Sequence, residues 1–215
     1  MLTVFALGVI AQAPAWPDLG VAPPGRGGEA DVAVIVGIES YGSLPAVPGA
    51  AQTANDWFTW LTTTVAVPAT NVRLLRNNEG TLEKLRRFAG EAVSRARPES
   101  TLWFVFVGHG APERTGSDGL LIGYDAQQEA DSLSARSLAQ QELLSILAKG
   151  KQRRTVVVID ACFSGRSRTG QPLVPGLQPV VLLKPLAPPK ALVMTAASAE
   201  EFAGLRRYLP GDPVR

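Results

Sequence analysis

The chain contains one cysteine and one histidine, and each lies where an apolar run breaks into a turn. Cys162 follows "TVVVIDA" and precedes Phe-Ser-Gly, and His109 stands between two glycines after "LWFVFV". A thiol becomes a strong nucleophile when an imidazole takes its proton, and the same imidazole can later protonate a leaving amine. The two residue types therefore suit acyl-transfer chemistry, provided that the fold brings them together.

The elements that would position them can be predicted from hydrophobic patterning. Apolar runs predict five strands, at residues 32–38, 72–76, 102–107, 155–159 and 191–196. Apolar residues three or four apart predict three helices, at residues 50–62, 81–97 and 137–148. Thr81 is the expected N-cap of the second helix, and Ser137-x-x-Gln140 is the expected capping box of the third. Nearly continuous apolar strands between helices predict a three-layer α/β/α sandwich with a mostly parallel central sheet.

Ligands of such sheets bind beyond the carboxyl ends of the strands. The predicted ends are Gly37 and the residues after it, 108–110, 160–162 and 195–198, so both His109 and Cys162 lie at this edge. Neighbouring parallel strands are about 4.8 Å apart, which lets the two side chains meet as a catalytic dyad. The N–H groups of Gly110 and Cys162 would form an oxyanion hole. A lone Cys or His is more often a packed or hydrogen-bonded residue, but their joint placement favours the dyad.

Composition narrows the class of protein. Of 215 residues, 46% are hydrophobic and 19% charged, with a net charge of +2, which indicates a globular protein without a strong field for nucleic acid or an anionic membrane. One cysteine excludes an internal disulfide, and one cysteine with one histidine excludes a Cys/His zinc cluster. No cofactor is expected.

Residues 1–30 are interpreted as a leader and linker, and residues 31–215 as the folded domain. "MLTVFALGVIAQA" combines a short apolar run with an A-x-A pattern typical of signal peptides, although no Lys or Arg precedes the run and Pro14 follows it. Export to the periplasm and a cytoplasmic location both stay open. The Pro/Gly-rich stretch up to residue 30 is typical of a linker.

"FVFVGHG" and "VVVIDACFSG" resemble the two signature blocks of caspase-like cysteine peptidases, and are most similar to bacterial and metacaspase-type members. Segments similar to the family's first strand and loop-helix, and to the strand after the cysteine, extend the resemblance over residues 31–203. It implies the caspase-hemoglobinase fold and a cysteine endopeptidase with His109 and Cys162 as its dyad. The separation of 53 residues is close to that of caspases.

One departure from caspases bears on specificity. Caspases carry Gln-Ala-Cys where this chain has Asp160-Ala161-Cys162, and Asp56 in "TANDWF" resembles the metacaspase acid of a basic-specific pocket. Asp160 lies two residues before the nucleophile and so on the same face of the strand. Two carboxylates could pair with a guanidinium, which predicts cleavage after Arg and then Lys. Alternatively, Asp160 only caps the turn and Asp56 is a surface residue.

A second departure concerns calcium. The paired acids that give some metacaspases a calcium site are not recognisable in "SARSLAQQE", so no metal is expected. The acids Asp118, Asp125, Glu129 and Asp131 are interpreted as a solvated loop. The chain stops soon after "TAASAEEFA", where family members usually continue into another helix and strand. We interpret it as a fragment or a processed large subunit lacking the last strand.

Residues 166–190 are rich in Pro and Gly, which predicts an exposed loop directly after the nucleophile. Arg166, Arg168 and Lys190 are candidate points of self-cleavage, whereas Pro185 disfavours a cut after Lys184. An uncut loop that flanks the substrate is the alternative.

Three functions are compatible with the sequence. An endopeptidase is the leading interpretation, and a catalytically idle caspase-like interaction module and a redox-sensing thiol are the alternatives. The resemblance implies a polypeptide substrate. Roles in bacterial immunity, such as cutting a pore-forming, gasdermin-like protein, in regulated cell death and in secreted digestion all stay open.

Overall fold

The computed structural model describes residues 25–114, 118–166, 171–174 and 189–195. The helices in this part of the chain are α1 (Ala50–Thr63), α2 (Leu82–Arg95), α3 (Ala130–Ala135) and α4 (Gln140–Leu147), with short 3₁₀ helices at Ala69–Asn71 and Asn77–Glu79. The strands are β1 (Val32–Gly37), β2 (Val72–Arg76), β3 (Thr101–Val107), β4 (Gly110–Pro112), β5 (Gly119–Ile122), β6 (Ser137–Ala139), β7 (Arg154–Asp160) and β8 (Ala191–Thr195).

The main sheet has five strands in the order β2-β1-β3-β7-β8, and every neighbouring pair is parallel. These are the five strands predicted from the apolar runs, with ends that differ by one residue at most where both ends are described. The chain moves from β1 to β2 through α1, and then back across β1 to β3 through α2. Because right-handed crossovers in opposite directions place their helices on opposite faces, α1 and α2 cover different sides of the sheet.

Two apolar layers confirm the predicted three-layer sandwich. One face of β1 and β3 packs on α1 through Ala33, Ile35 and Val105 against Ala54 and Leu61, all 2% exposed or less. The other face packs on α2 and α4, and its core residues include Val34, Val36, Phe104, Phe106, Leu85, Ala89, Leu143 and Leu147. Strands apolar on both faces are therefore explained by helices on both sides.

The start of α2 agrees with the sequence prediction, and the start of α4 does not. Thr81 caps α2 by accepting a hydrogen bond from the N–H of Lys84 at 3.5 Å. In contrast, Ser137 begins strand β6, and α4 begins only at Gln140. The predicted capping box is wrong because Ser137 is buried opposite Ile122 of β5. The side chain of Asp118 caps the start of α4 instead, because it accepts a hydrogen bond from the N–H of Gln141 at 3.0 Å.

A small antiparallel sheet of β4, β5 and β6 was not predicted. It covers an apolar cluster that includes Leu44, Ala111, Leu120 and Val174. Leu173 and Val174 are 1% and 5% exposed, so the prediction of an exposed loop over residues 166–190 is wrong for this part of it. Its other described residues include Gln171, Pro172 and Lys190, which are exposed.

Within the described residues, no helix has the length and apolar character needed to cross a membrane. The first 24 residues, which carry the predicted leader, lie outside the described part of the chain.

Candidate active site

A cleft lies at the carboxyl ends of β1, β3 and β7. Its walls come from the loop after β1 with the start of α1, from the residues that end β3, and from the residues that end β7. They are Val47, Pro48, Gly49, Ala50, Thr53, Val107, Gly108, His109, Asp160, Ala161, Cys162 and Arg166. The single histidine and the single cysteine of the chain therefore line the same cleft, at the edge of the sheet where the sequence placed them.

The pairing of β3 with β7 sets the distance between these two residues. Val107 is opposite Asp160 at the end of the ladder, and the N–H of Gly108 still donates to the carbonyl of Asp160 at 3.2 Å. Beyond this point the two chains remain close, because a Cβ atom on Gly110 would lie 2.7 Å from the Cys162 carbonyl oxygen. Gly110 is thus the residue that lets the backbone of Cys162 approach the histidine segment.

The loop between β1 and α1 is anchored over His109. The N–H groups of Glu39 and Ser40 both donate to the Asn77 side-chain oxygen at 3.0 Å, and Leu44 is buried beneath the loop. This anchoring holds the carbonyl of Pro45 at 2.8 Å from Nε2 of His109.

The contact with Pro45 selects the tautomer of His109. A carbonyl oxygen only accepts hydrogen bonds, so Nε2 carries the proton and Nδ1 is the nitrogen able to act as a base. His109 is 5% exposed, and this burial lowers its pKa, while the bond to Pro45 opposes the shift. The imidazole is therefore neutral near pH 7, which is the state that a general base requires.

The N–H of Gly110 is oriented by the small sheet. Ile122 donates its N–H to the His109 carbonyl at 3.0 Å, and Gly110 is opposite Leu121. Because hydrogen-bonded and non-hydrogen-bonded pairs alternate in an antiparallel ladder, the Gly110 N–H points away from β5. The predicted oxyanion hole of Gly110 and Cys162 requires this direction and stays a prediction.

The two predicted specificity acids lie in different places. Asp160 ends β7, is half-buried and lines the cleft together with Arg166. Asp56 is exposed on α1, accepts a hydrogen bond from Gln52 at 2.8 Å, and borders a separate depression beside Trp57 and Trp60. Thr53 borders both surfaces. The structure thus brings Asp160, but not Asp56, to the wall of the cleft.

The candidate cleavage points lie in different surroundings. Arg166 forms an isolated bridge with Pro172 beside the cleft, and Lys190 is exposed, although its carbonyl accepts a bond from the N–H of Thr155 at 2.9 Å. Arg168 and Lys184 lie outside the described residues.

Of the four acids interpreted as a solvated loop, Glu129 and Asp131 are exposed as expected, and the side chains of Asp118, Asp125 and Asp131 have partners in the protein. Asp118 is half-buried and caps α4, and burial raises its pKa. Asp125 pairs with Arg136, and Asp131 pairs with Arg114 at 2.9 Å. In the described part of the chain, no three His, Cys, Asp or Glu residues form a group able to hold a metal ion.

Two residues of this site were not singled out from the sequence. Pro45 and Tyr41 both lie in the loop after β1, and both contact His109. The Pro45 contact is made by a backbone carbonyl, for which residue type gives no signal. Tyr41 is the only aromatic residue between β1 and α1, but its residue type alone does not indicate a contact with His109.

Comparison with protein-family models identifies the family of the chain. The family model described as Caspase domain (Peptidase C14) matches residues 30–202. No curated protein matches the chain. Among solved structures, the crystal structure of protein GSU0716 from Geobacter sulfurreducens has a TM-score of 0.48 and 18% sequence identity, covering 61% of this chain and 50% of that chain. On the family match, the chain belongs to the caspase-domain family of cysteine-type peptidases.

Proposed function

We propose that the chain is a cysteine endopeptidase in which His109 and Cys162 form the catalytic dyad. Nδ1 of His109 accepts the thiol proton, and the sulfur attacks the carbonyl carbon of the scissile peptide bond. The N–H groups of Gly110 and Cys162 stabilise the resulting oxyanion. The imidazolium then protonates the leaving amine, and water hydrolyses the thioester with His109 again as base.

One observation carries this proposal. The only histidine and the only cysteine line one cleft at adjacent strand ends, and the histidine is held in the tautomer that leaves Nδ1 basic. A packed cysteine and a structural histidine would not require this arrangement.

Hydrolysis of fluorogenic peptides, before and after alkylation of Cys162, tests the proposal. Hydrolysis that is lost on alkylation supports an endopeptidase. No hydrolysis by the unmodified protein indicates an idle interaction module. Reversible inactivation of the thiol by peroxide without any hydrolysis indicates a redox sensor.

For specificity, we propose that Asp160 binds an Arg or Lys side chain just before the scissile bond. Its position at the end of β7 in the cleft supports this role, since a carboxylate can form charge-assisted, bidentate bonds to a guanidinium. Asp56 stays a weaker candidate, because it borders a separate depression and not the wall of the cleft. A pore-forming protein of the gasdermin type, cut after a basic residue, would be one substrate of this class.

Self-processing follows from the same specificity. We expect wild-type protein to cut itself within residues 166–190, after Arg166, Arg168 or Lys190, because these basic residues lie in the segment that follows the nucleophile in the chain. Intact-mass spectrometry of purified wild type and Cys162→Ala would detect the cut, which only the wild type should show.

The matched control is Arg168→Gln together with Lys190→Gln, which leaves Arg166 as the remaining candidate residue. Identical, full-length masses for wild type and Cys162→Ala would exclude self-processing and leave the segment as an uncut loop beside the cleft.

A further inference from the structure

Tyr41 contacts the backbone and the ring of His109, and the chemistry proposed above does not use it. The Tyr41 hydroxyl accepts a hydrogen bond from the His109 N–H at 2.7 Å and lies 3.5 Å from the carbonyl oxygen of Ile122. Its ring packs on the imidazole with centroids 4.9 Å apart and planes tilted by 41°. One side chain thus fixes both the peptide and the ring of the histidine.

The hydroxyl replaces a hydrogen bond of the small sheet. The register of β4 and β5 extends to His109 opposite Ile122, and the N–H of Ile122 donates to the His109 carbonyl. In a regular hydrogen-bonded pair the His109 N–H would return a bond to the Ile122 carbonyl. Here the Tyr41 hydroxyl lies between these two groups and bridges them.

The glycine at position 108 leaves space for the Tyr41 hydroxyl. A Cβ atom on Gly108 would lie 2.6 Å from the Tyr41 hydroxyl oxygen, so only glycine at this position admits the hydroxyl without a shift. Burial raises the pKa of Tyr41 above its usual value, and the bond from His109 opposes the shift. The hydroxyl therefore keeps its proton and can donate to Ile122 while it accepts from His109.

We propose that Tyr41 is a positioning residue that holds His109 in its catalytic orientation, through the bridge from its hydroxyl to the β4–β5 ladder and the contact of its ring with the imidazole. The hydroxyl takes the place of one of the two ladder hydrogen bonds at His109, where the chain passes from the main sheet to the small one. The ring packs against the imidazole and so restricts its rotation. This inference rests on the proposed role of His109 as the base.

The first test is kinetic. Tyr41→Phe keeps the ring and removes the bridge, so kcat should fall about tenfold or more while KM changes little, because misplacement of a catalytic group by a fraction of an ångström is costly in rate. Tyr124→Phe is the matched control: it removes a tyrosine hydroxyl from the same apolar cluster, and the described hydrogen bonds of Tyr124 use its backbone. Rates are normalised to sites labelled by an irreversible peptidyl inhibitor, which separates loss of positioning from loss of folded protein.

The second test needs no peptidase activity. Because the chain has a single histidine, the imidazole resonances of labelled protein belong to His109 without ambiguity. In wild type and in Tyr124→Phe we expect the Nε2–H tautomer alone and a pKa below the usual histidine value. Tyr41→Phe keeps the aromatic ring but leaves the His109 N–H without its hydroxyl partner, so the peptide should move and carry the imidazole away from the Pro45 carbonyl. We expect a mixture of tautomers and a higher pKa, because the displaced imidazole gains access to water.

A third variant tests the placement of the hydroxyl. Gly108→Ala should impair the wild type, and the loss should be smaller when it is combined with Tyr41→Phe, because the phenylalanine removes the oxygen that the new methyl group meets. The proposal is overturned if Tyr41→Phe leaves the histidine tautomer and pKa unchanged, or if its kcat per labelled site stays within about twofold of wild type. A wild type that hydrolyses no peptide would instead overturn the proposed function, and the resonances of His109 would still decide the role of Tyr41.

Discussion

Cys162→Ala should abolish peptide hydrolysis, and His109→Ala should lower kcat by about 10²- to 10⁴-fold, the usual contribution of a general base. No other cysteine or histidine exists in the chain to replace either residue. Members of a dyad act as a unit, so the double variant should be barely slower than Cys162→Ala. Steady-state kinetics of the three variants on one fluorogenic peptide would measure this.

The fold should survive both substitutions. Cys162 is only partly buried, and Cys162→Ala removes a single sulfur atom, so its thermal unfolding temperature should stay close to that of wild type. Substantial hydrolysis by folded Cys162→Ala would show that the nucleophile lies elsewhere.

Asp160→Asn should lower kcat/KM for peptides that end in Arg by at least about tenfold. Loss of one partner of a buried charge pair typically costs 2–5 kcal/mol, and Asp160 is half-buried in the cleft wall. The effect should be small for a matched peptide that ends in Leu, because that side chain makes no ion pair. Peptides identical except for a final Arg, Lys, Asp or Leu would measure both the specificity of wild type and its change.

Two isosteric variants complete this comparison. Asp131→Asn removes an exposed acid on α3 and should leave every rate unchanged. Asp56→Asn should have a smaller effect than Asp160→Asn, because Asp56 lies outside the cleft wall. A wild type that prefers peptides ending in Asp or Leu would exclude the basic-specific pocket. In that case Arg166, which also lines the cleft, would be the charged residue that determines substrate preference.

The main sheet could be predicted because its strands are apolar on both faces. Runs such as "LWFVFV" and "TVVVI" have no polar face to present to water, so a parallel sheet covered by helices is their natural environment. The positions of His109 and Cys162 followed from the same patterns, since each residue directly follows a buried strand.

The small sheet could not be predicted in the same way. β4 and β6 have only three residues each, too few for a periodic pattern, and Ser137 with Gln140 imitates a capping box although Ser137 belongs to a strand. Likewise, the orientation of His109 depends on the Pro45 carbonyl and the Tyr41 hydroxyl, which lie more than 60 residues away in the chain. Contacts of this kind depend on tertiary packing and leave no local trace in the sequence.

We propose that Cys162 is a nucleophile activated by His109 in a cleft that binds basic side chains. The most direct measurement is the mass of the intact protein after reaction with a peptidyl-arginyl acyloxymethyl ketone, followed by peptide mapping. We predict one adduct, on Cys162, that forms rapidly in wild type, at least about a hundredfold more slowly in His109→Ala, and more slowly in Asp160→Asn. No adduct on folded wild type, or an equal rate in His109→Ala, would contradict the account.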